Sequence, residues 1–178
     1  YVPARPSGAK RMAHLFSFAV SSLPAVIWQA LTWRPDAVIA IAPTLFAAPG
    51  AALAGWAGGA RNWLHIQDFE VDAAFELGLL EGGWLRRFAL GLERWLLGRF
   101  ASVSSISDNM CRRLAEKGVA GDRVQFLPNW VDTNVIRPLD DSTAIRAEFG
   151  VPADALVALY AGNMNTKQGI ETIIEAAR

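Results

Sequence analysis

Short apolar runs alternate with helix-length segments along this chain, and that alternation limits the possible folds more than any other feature. Ala37 to Ile41, Asn62 to Gln67, Ala101 to Ile106 and Arg123 to Leu127 read as strands. Helical patterns precede or separate them, over about residues 8–33, 44–57, 84–99 and 108–117. Strands joined through helices pair in parallel, by right-handed βαβ crossovers. Strand interiors that are apolar on both sides predict helices on both faces of the sheet. The expectation is an α/β fold with a Rossmann-like parallel sheet.

A second unit begins further on. Residues 128–141 are rich in turn signals, including Pro128-Asn129, Arg137-Pro138 and Asp140-Asp141, and read as a linker. Ser142 to Phe149 is predicted as a short helix that Gly150 closes with a left-handed residue. Leu156 to Ala161 then reads as a new strand, with Gly162 and a helix opening near Gly169 completing one βα unit. We therefore expect residues 1–138 to be part of one Rossmann-like domain and residues 139–178 to be the linker and start of another. Tyr1 to Pro6 lacks the charged start and adjacent apolar core of a signal peptide. The last residues are a helix still in mid-period, so the sequence reads as an internal piece of a longer protein.

Composition removes several classes. At 52% hydrophobic and 19% charged, the chain is not intrinsically disordered. A single cysteine, Cys111, excludes a disulfide framework and a cysteine-based zinc site, and it fits a reducing compartment. Seventeen basic residues balance seventeen acidic ones, which argues against a nucleic-acid partner.

Two charge-free stretches, His14 to Trp33 and Ala37 to Ala60, are long enough to span a bilayer. The first carries three Ser, a Thr, a Gln and Pro24, and its stripe of Leu15, Phe18, Ala19, Val26 and Leu31 predicts a helix buried in a soluble core. The second breaks at Pro43 and Pro49 and parses as strand, turn and small-residue helix.

Three places have residues suited to chemistry. The turn from Gly162 to Gly169 lies between a strand and a helix start, where open parallel sheets gather ligands and free N–H groups favour phosphate. Lys167 adds a full charge there, while the G-x-G-x-x-G and P-loop spacings are both absent. Asp68, Glu70 and Asp72 have an acidic spacing that could hold a divalent cation, but a solvated loop is the stronger reading, because alternate acids are common in loops and nothing else supplies ligands, so no metal is expected. The third is the helix Trp84 to Phe100, in which Leu85, Phe88, Ala89, Leu92 and Leu96 share a face. Its Arg86, Arg87 and Arg94, with Trp84 and Trp95, fit either an interfacial helix on anionic lipid or a domain helix with an exposed Arg face and its Trp in the core.

The order of several motifs resembles glycosyltransferase family 4, nearest to bacterial exopolysaccharide enzymes of the colanic-acid and O-antigen type. These motifs are Arg34-Pro35-Asp36-Ala37-Val38, Gln67-Asp68, Ser104-Ser105-Ile106-Ser107, Pro128-Asn129-Trp130-Val131-Asp132 with Arg137-Pro138, and Gly162-Asn163-Met164 with Lys167-Gln168-Gly169-Ile170-Glu171. The resemblance covers nearly the whole chain. It implies a GT-B enzyme, truncated here, with an acceptor-binding N-terminal domain and a donor-binding C-terminal one. It also implies retention of anomeric configuration, no bound metal and no cofactor, a nucleotide-sugar being the substrate. The implied partners are that donor and a lipid-linked glycan acceptor, at the cytoplasmic membrane face.

By the same resemblance Gly162, Asn163, Lys167 and Gln168 stand at the donor site. Asn163 occupies a position where the family usually has Arg, so Lys167 alone carries over as a cation. Asp68, at a strand end, orients an acceptor hydroxyl or caps the following turn. His65, two residues earlier on the same side of the strand, either shares the acceptor task or is a hydrogen-bonded core histidine. The rival functions are a non-catalytic membrane-associated module and another Rossmann-type nucleotide binder.

Overall fold

The computed structural model describes residue 2 and residues 8–42, 45–69, 71–72, 82–138, 141–164 and 168–177. They fall into two compact units, Tyr1–Asn129 and Trp130–Arg178.

The first unit contains helix α1 (Gly8–Trp33), strand β1 (Ala37–Ala42), α2 (Ala48–Gly58), β2 (Arg61–Ile66), α3 (Gly83–Leu97), β3 (Ser102–Ser105), α4 (Asp108–Glu116) and β4 (Val124–Phe126). The sheet is ordered β1-β2-β3-β4 with every pair parallel. Spatial order follows sequence order, so each right-handed crossover steps the same way and sets its helix on the same side. Register agrees. Ala42 lies beside Ile66, and Leu64 beside Val103. These four pack with Ala48 of α2, Leu96 and Leu97 of α3, Phe100, Leu114 of α4 and Val119 into one core. The sheet is parallel and flanked by helices, as expected for this α/β pattern, but among the described residues this core lies on one of its faces, where the sequence predicted both to be covered. The other face carries Ile39, Ile41, Trp63, His65 and Ser104, with Ile39 and Ile41 62% and 63% exposed.

Local signals fix the helix ends. Ser107 caps α4 by accepting the Met110 N–H, and Asp108 places a negative charge in the first turn. A Cβ on Gly55 would fall 1.4 Å from Asn62 Oδ1, so only glycine lets α2 lie against the side chain that donates to Ala52 O.

The charge-free stretch from His14 corrects the buried-helix reading. It forms part of one continuous helix through Pro24, and Ala13–Trp33 is long and apolar enough to cross a membrane. It packs on α2 so closely that a Cβ on Gly58 would come 2.9 Å from Ala30 O. That contact uses a narrow stripe, of which Ala30 is buried, while Phe16, Phe18, Val20, Trp28, Leu31 and Trp33 are exposed. A helix buries only the arc that meets a neighbour, and periodicity cannot say how many neighbours there are. The second charge-free stretch is strand then helix, as its prolines predict.

The second unit holds α5 (Thr143–Glu148) and α6 (Ile170–Ala176). Gly150 has φ of 64°, the left-handed stop the sequence predicts after α5. Arg146 Nη1 donates to the carbonyls of Pro152 and Ala155, at 3.0 and 3.1 Å, and ties down the following turn. Hydrogen bonds from Thr143 hold the Asp141 carboxyl below its ordinary pKa. Leu156 to Ala161 is not a strand here, against expectation. A strand is defined by its ladder, and this segment pairs with no other among the described residues; Leu156 is fully exposed.

Candidate functional site

The carboxyl ends of the strands bring together residues far apart in sequence. Gln67 N continues the ladder by donating to Ala42 O at 3.1 Å, and Leu127 N does so to Ser105 O at 2.9 Å. The Gln67 side chain reaches Asn129 Oδ1 at 3.4 Å, across 62 residues of chain. Asp68 follows as an exposed residue on the rim of the sheet, where open parallel sheets bind ligands.

The segment after Asp68 is anchored by charge. Asp72 Oδ1 accepts from Lys117 Nζ at 3.0 Å, and Oδ2 lies 3.0 Å from both Lys117 Nζ and Arg113 Nε. Lys117 also donates to Glu93 Oε2 at 2.5 Å. Burial pushes the Glu93 carboxyl above its ordinary pKa, with the Lys117 hydrogen bond opposing that. Phe69 lies beneath both cations, 5.2 Å from Lys117 Nζ and 5.6 Å from the Arg113 guanidinium carbon. Sequence reasoning did not find this cluster, because its members are 24 and 45 residues from Lys117. One signal was present: Glu93 lies in α3 one turn after Ala89 of the predicted apolar face and one turn before Leu97, a charged residue at an inward position.

His65 is buried, 6% exposed, which is the core-histidine arrangement. Its Nδ1 lies 2.8 Å from Ser104 Oγ, and Ser104 Oγ accepts the Trp63 indole N–H at 2.7 Å. In the tautomer that gives the hydroxyl proton an acceptor, Ser104 donates to Nδ1 and His65 carries its proton on Nε2. Burial lowers the His65 pKa and keeps the ring neutral.

The face predicted for α3 divides. Glu93, Leu96 and Leu97 are buried, whereas Phe88 and Leu92 join Trp84 and Trp95 on an exposed stripe. Arg99 stacks over Trp95 with its guanidinium 4.5 Å from the ring centre, and Arg86 and Arg87 are exposed. Arg94 differs from them: its Nε donates to Lys117 O at 3.0 Å, joining α3 to the end of α4.

In the second unit, Gly162 and Asn163 are exposed, and Asn163 O accepts from the Tyr160 hydroxyl at 2.9 Å. Gly169, at φ 59°, turns the chain into α6, a conformation suited to glycine, and Gln168 just before it is exposed. Lys167 and Glu70 lie outside the described residues. Among the described residues no group of three acidic, His or Cys side chains is placed to hold a metal. An open apolar groove of about 300 Å³ runs between α1, Ala37, Val38 and Ala54. It sits at the amino end of β1, away from the rim that carries Asp68.

A parallel sheet with helical crossovers, and polar residues from distant segments collected at its carboxyl ends, defines the class: a Rossmann-like α/β protein. Within that class the chain belongs to the family of the glycosyl transferase 4-like domain, which matches residues 1–130. A protein of Escherichia coli (strain K12), provisionally named colanic acid biosynthesis glycosyl transferase WcaI, is 44% identical over 182 residues. The match covers 99% of this chain and 44% of that relative, so the chain spans less than half the relative's length.

Proposed function

We propose that this chain is the acceptor-side part of a glycosyltransferase that moves a sugar from a nucleotide-sugar to a lipid-linked glycan in cell-surface polysaccharide synthesis. The carrying observation is the family match across the first unit, and the relative's name suggests colanic acid as the kind of product. Residues 1–138 serve the acceptor and residues 139–178 begin the donor domain. Asp68 accepts a hydrogen bond from the acceptor hydroxyl and sets its approach. His65, buried and neutral, supports β2 beneath that rim. Gly162, Asn163 and Gln168 contact the donor, and Lys167 with the following helix start offsets charge on the departing diphosphate. The reaction retains configuration and needs neither metal nor cofactor.

Transfer assayed in the complete protein with labelled nucleotide-sugars and a glycolipid extract tests this reading. Asp68→Asn is expected to lower kcat about 100-fold or more, and Lys167→Ala to raise the donor KM. Activity that disappears in EDTA would remove the metal-free part. Unchanged rates in both variants would remove the site.

The exposed stripe Trp84, Phe88, Leu92 and Trp95, beside Arg86 and Arg87, supports peripheral binding to an anionic membrane on the cytoplasmic side, where a lipid-linked acceptor resides. Replacing Arg86, Arg87 and Arg94 by Ser is expected to reduce co-sedimentation with anionic vesicles. Because Arg94 also bonds Lys117, the Arg86 and Arg87 pair alone is the cleaner comparison.

A further inference from the structure

We propose that Lys117 is a positioning residue for Asp68, acting through Asp72 and Phe69; this rests on the acceptor role of Asp68 above. Asp68 is the exposed residue of a segment held on both sides. Before it, Gln67 is fixed through its backbone to Ala42 and through its side chain to Asn129. After it, the Phe69 ring lies under two cations and Asp72 is gripped by the same two.

Lys117 is the hub. Its side chain is 11% exposed, and it bridges Asp72 on the strand-end segment to Glu93, itself 3% exposed, on α3. Its own backbone is pinned by Arg94. Two acids meet two cations, so the cluster is neutral as a whole. Arg113 is half-exposed, but Lys117, Asp72 and Glu93 are largely buried, and buried ions are a costly way to gain stability, since well-packed apolar residues of the same volume do as well or better. What apolar packing cannot provide is direction. Three charge contacts at 3.0 Å fix where Asp72 sits along the segment, and so how far the chain from Gln67 can move at the rim.

The test uses the complete protein with Lys117→Met, Lys117→Arg and the milder Asp72→Asn. Amide exchange of peptides covering residues 67–72 is expected to quicken at least tenfold in Lys117→Met and Asp72→Asn, while β2 and β3 keep their protection. Segment protection equal to wild type in both variants overturns the proposal whether or not transfer is ever detected. Should Lys117→Met lose protection in β2 and β3 as well, Asp72→Asn decides alone. Kinetically, Lys117→Met is expected to raise the acceptor KM or lower kcat at least tenfold with the donor KM unchanged, and Lys117→Arg to restore most of it. In an Asp68→Asn background Lys117→Met should add almost nothing, because the two act as one unit. Additive losses, or a matching rise in donor KM, mean a general structural role and overturn the proposal. Inactive wild-type protein would instead count against the transferase reading, and the exchange experiment would still decide the positioning one.

Discussion

Leu64 and Leu159 stand in similar apolar runs, yet Leu64 is fully buried and Leu159 is 86% exposed. In the first unit Asn62 to Ile66 has a parallel neighbour on each side and helices against one face. In the second, Leu156 to Ala161 has no ladder among the described residues. A strand is thus a relation between segments. Apolar patterning makes it favourable, and only a partner makes it real.

The largest expected effect comes from cutting the same side chain in both places. Leu64→Ala should cost about 2–5 kcal/mol in urea unfolding through the cavity it leaves, whereas Leu159→Ala should stay within about 0.5 kcal/mol. Equal losses would break the comparison, by showing that Leu159 is packed in solution.

Helix caps sharpen it at a smaller scale. Ser107 and Ser142 both precede helices, but the Ser107 side chain bonds a backbone N–H and that of Ser142 makes no such bond. Ser107→Ala should cost about 1 kcal/mol and Ser142→Ala a few tenths or less. Loss of the difference would mean that residue type, rather than geometry, sets the cap.

The smallest effect is in the pH profile and belongs to the first unit, since the second contains no histidine. The His65 pKa is lowered on folding from its ordinary 6.5, so the unfolded chain binds a proton that the folded chain refuses. Stability from neutral His65 is present above pH 6.5 and falls as pH drops through the lowered folded value. Glu93 slopes the other way. Its carboxyl is raised above 4.5, so its contribution improves as pH falls toward that value. His65→Gln should flatten the loss below pH 6.5 in stability measured at stepped pH. An unchanged slope would assign that loss to other groups.

Much of the fold was legible in the sequence. Seven of the expected elements, α1 to α4 with β1 to β3, appear within a few residues of their predicted bounds, and β4 is a shorter version of the strand expected at 123–127. The candidate site was legible in part. Asp68 could be placed at a strand end from local pattern alone, since the apolar run stops one or two residues before it. The Gln67–Asn129 contact and the Asp72–Lys117–Glu93 cluster could not, because nothing local in the chain pairs residues 24 to 62 positions apart.

In the first unit the sequence by itself determined, to within a few residues, where helices and strands begin and end, and that the strands run parallel, because periodicity, caps and crossover length act over a few residues or one connection. The tertiary structure alone decided which face of each element is covered. It left the outer surface of α1 and the stripe Trp84–Trp95 exposed, buried His65 beside Ser104, and closed the charge cluster behind Asp68. Burial depends on what stands opposite a side chain, and that is settled only when distant parts of the chain meet.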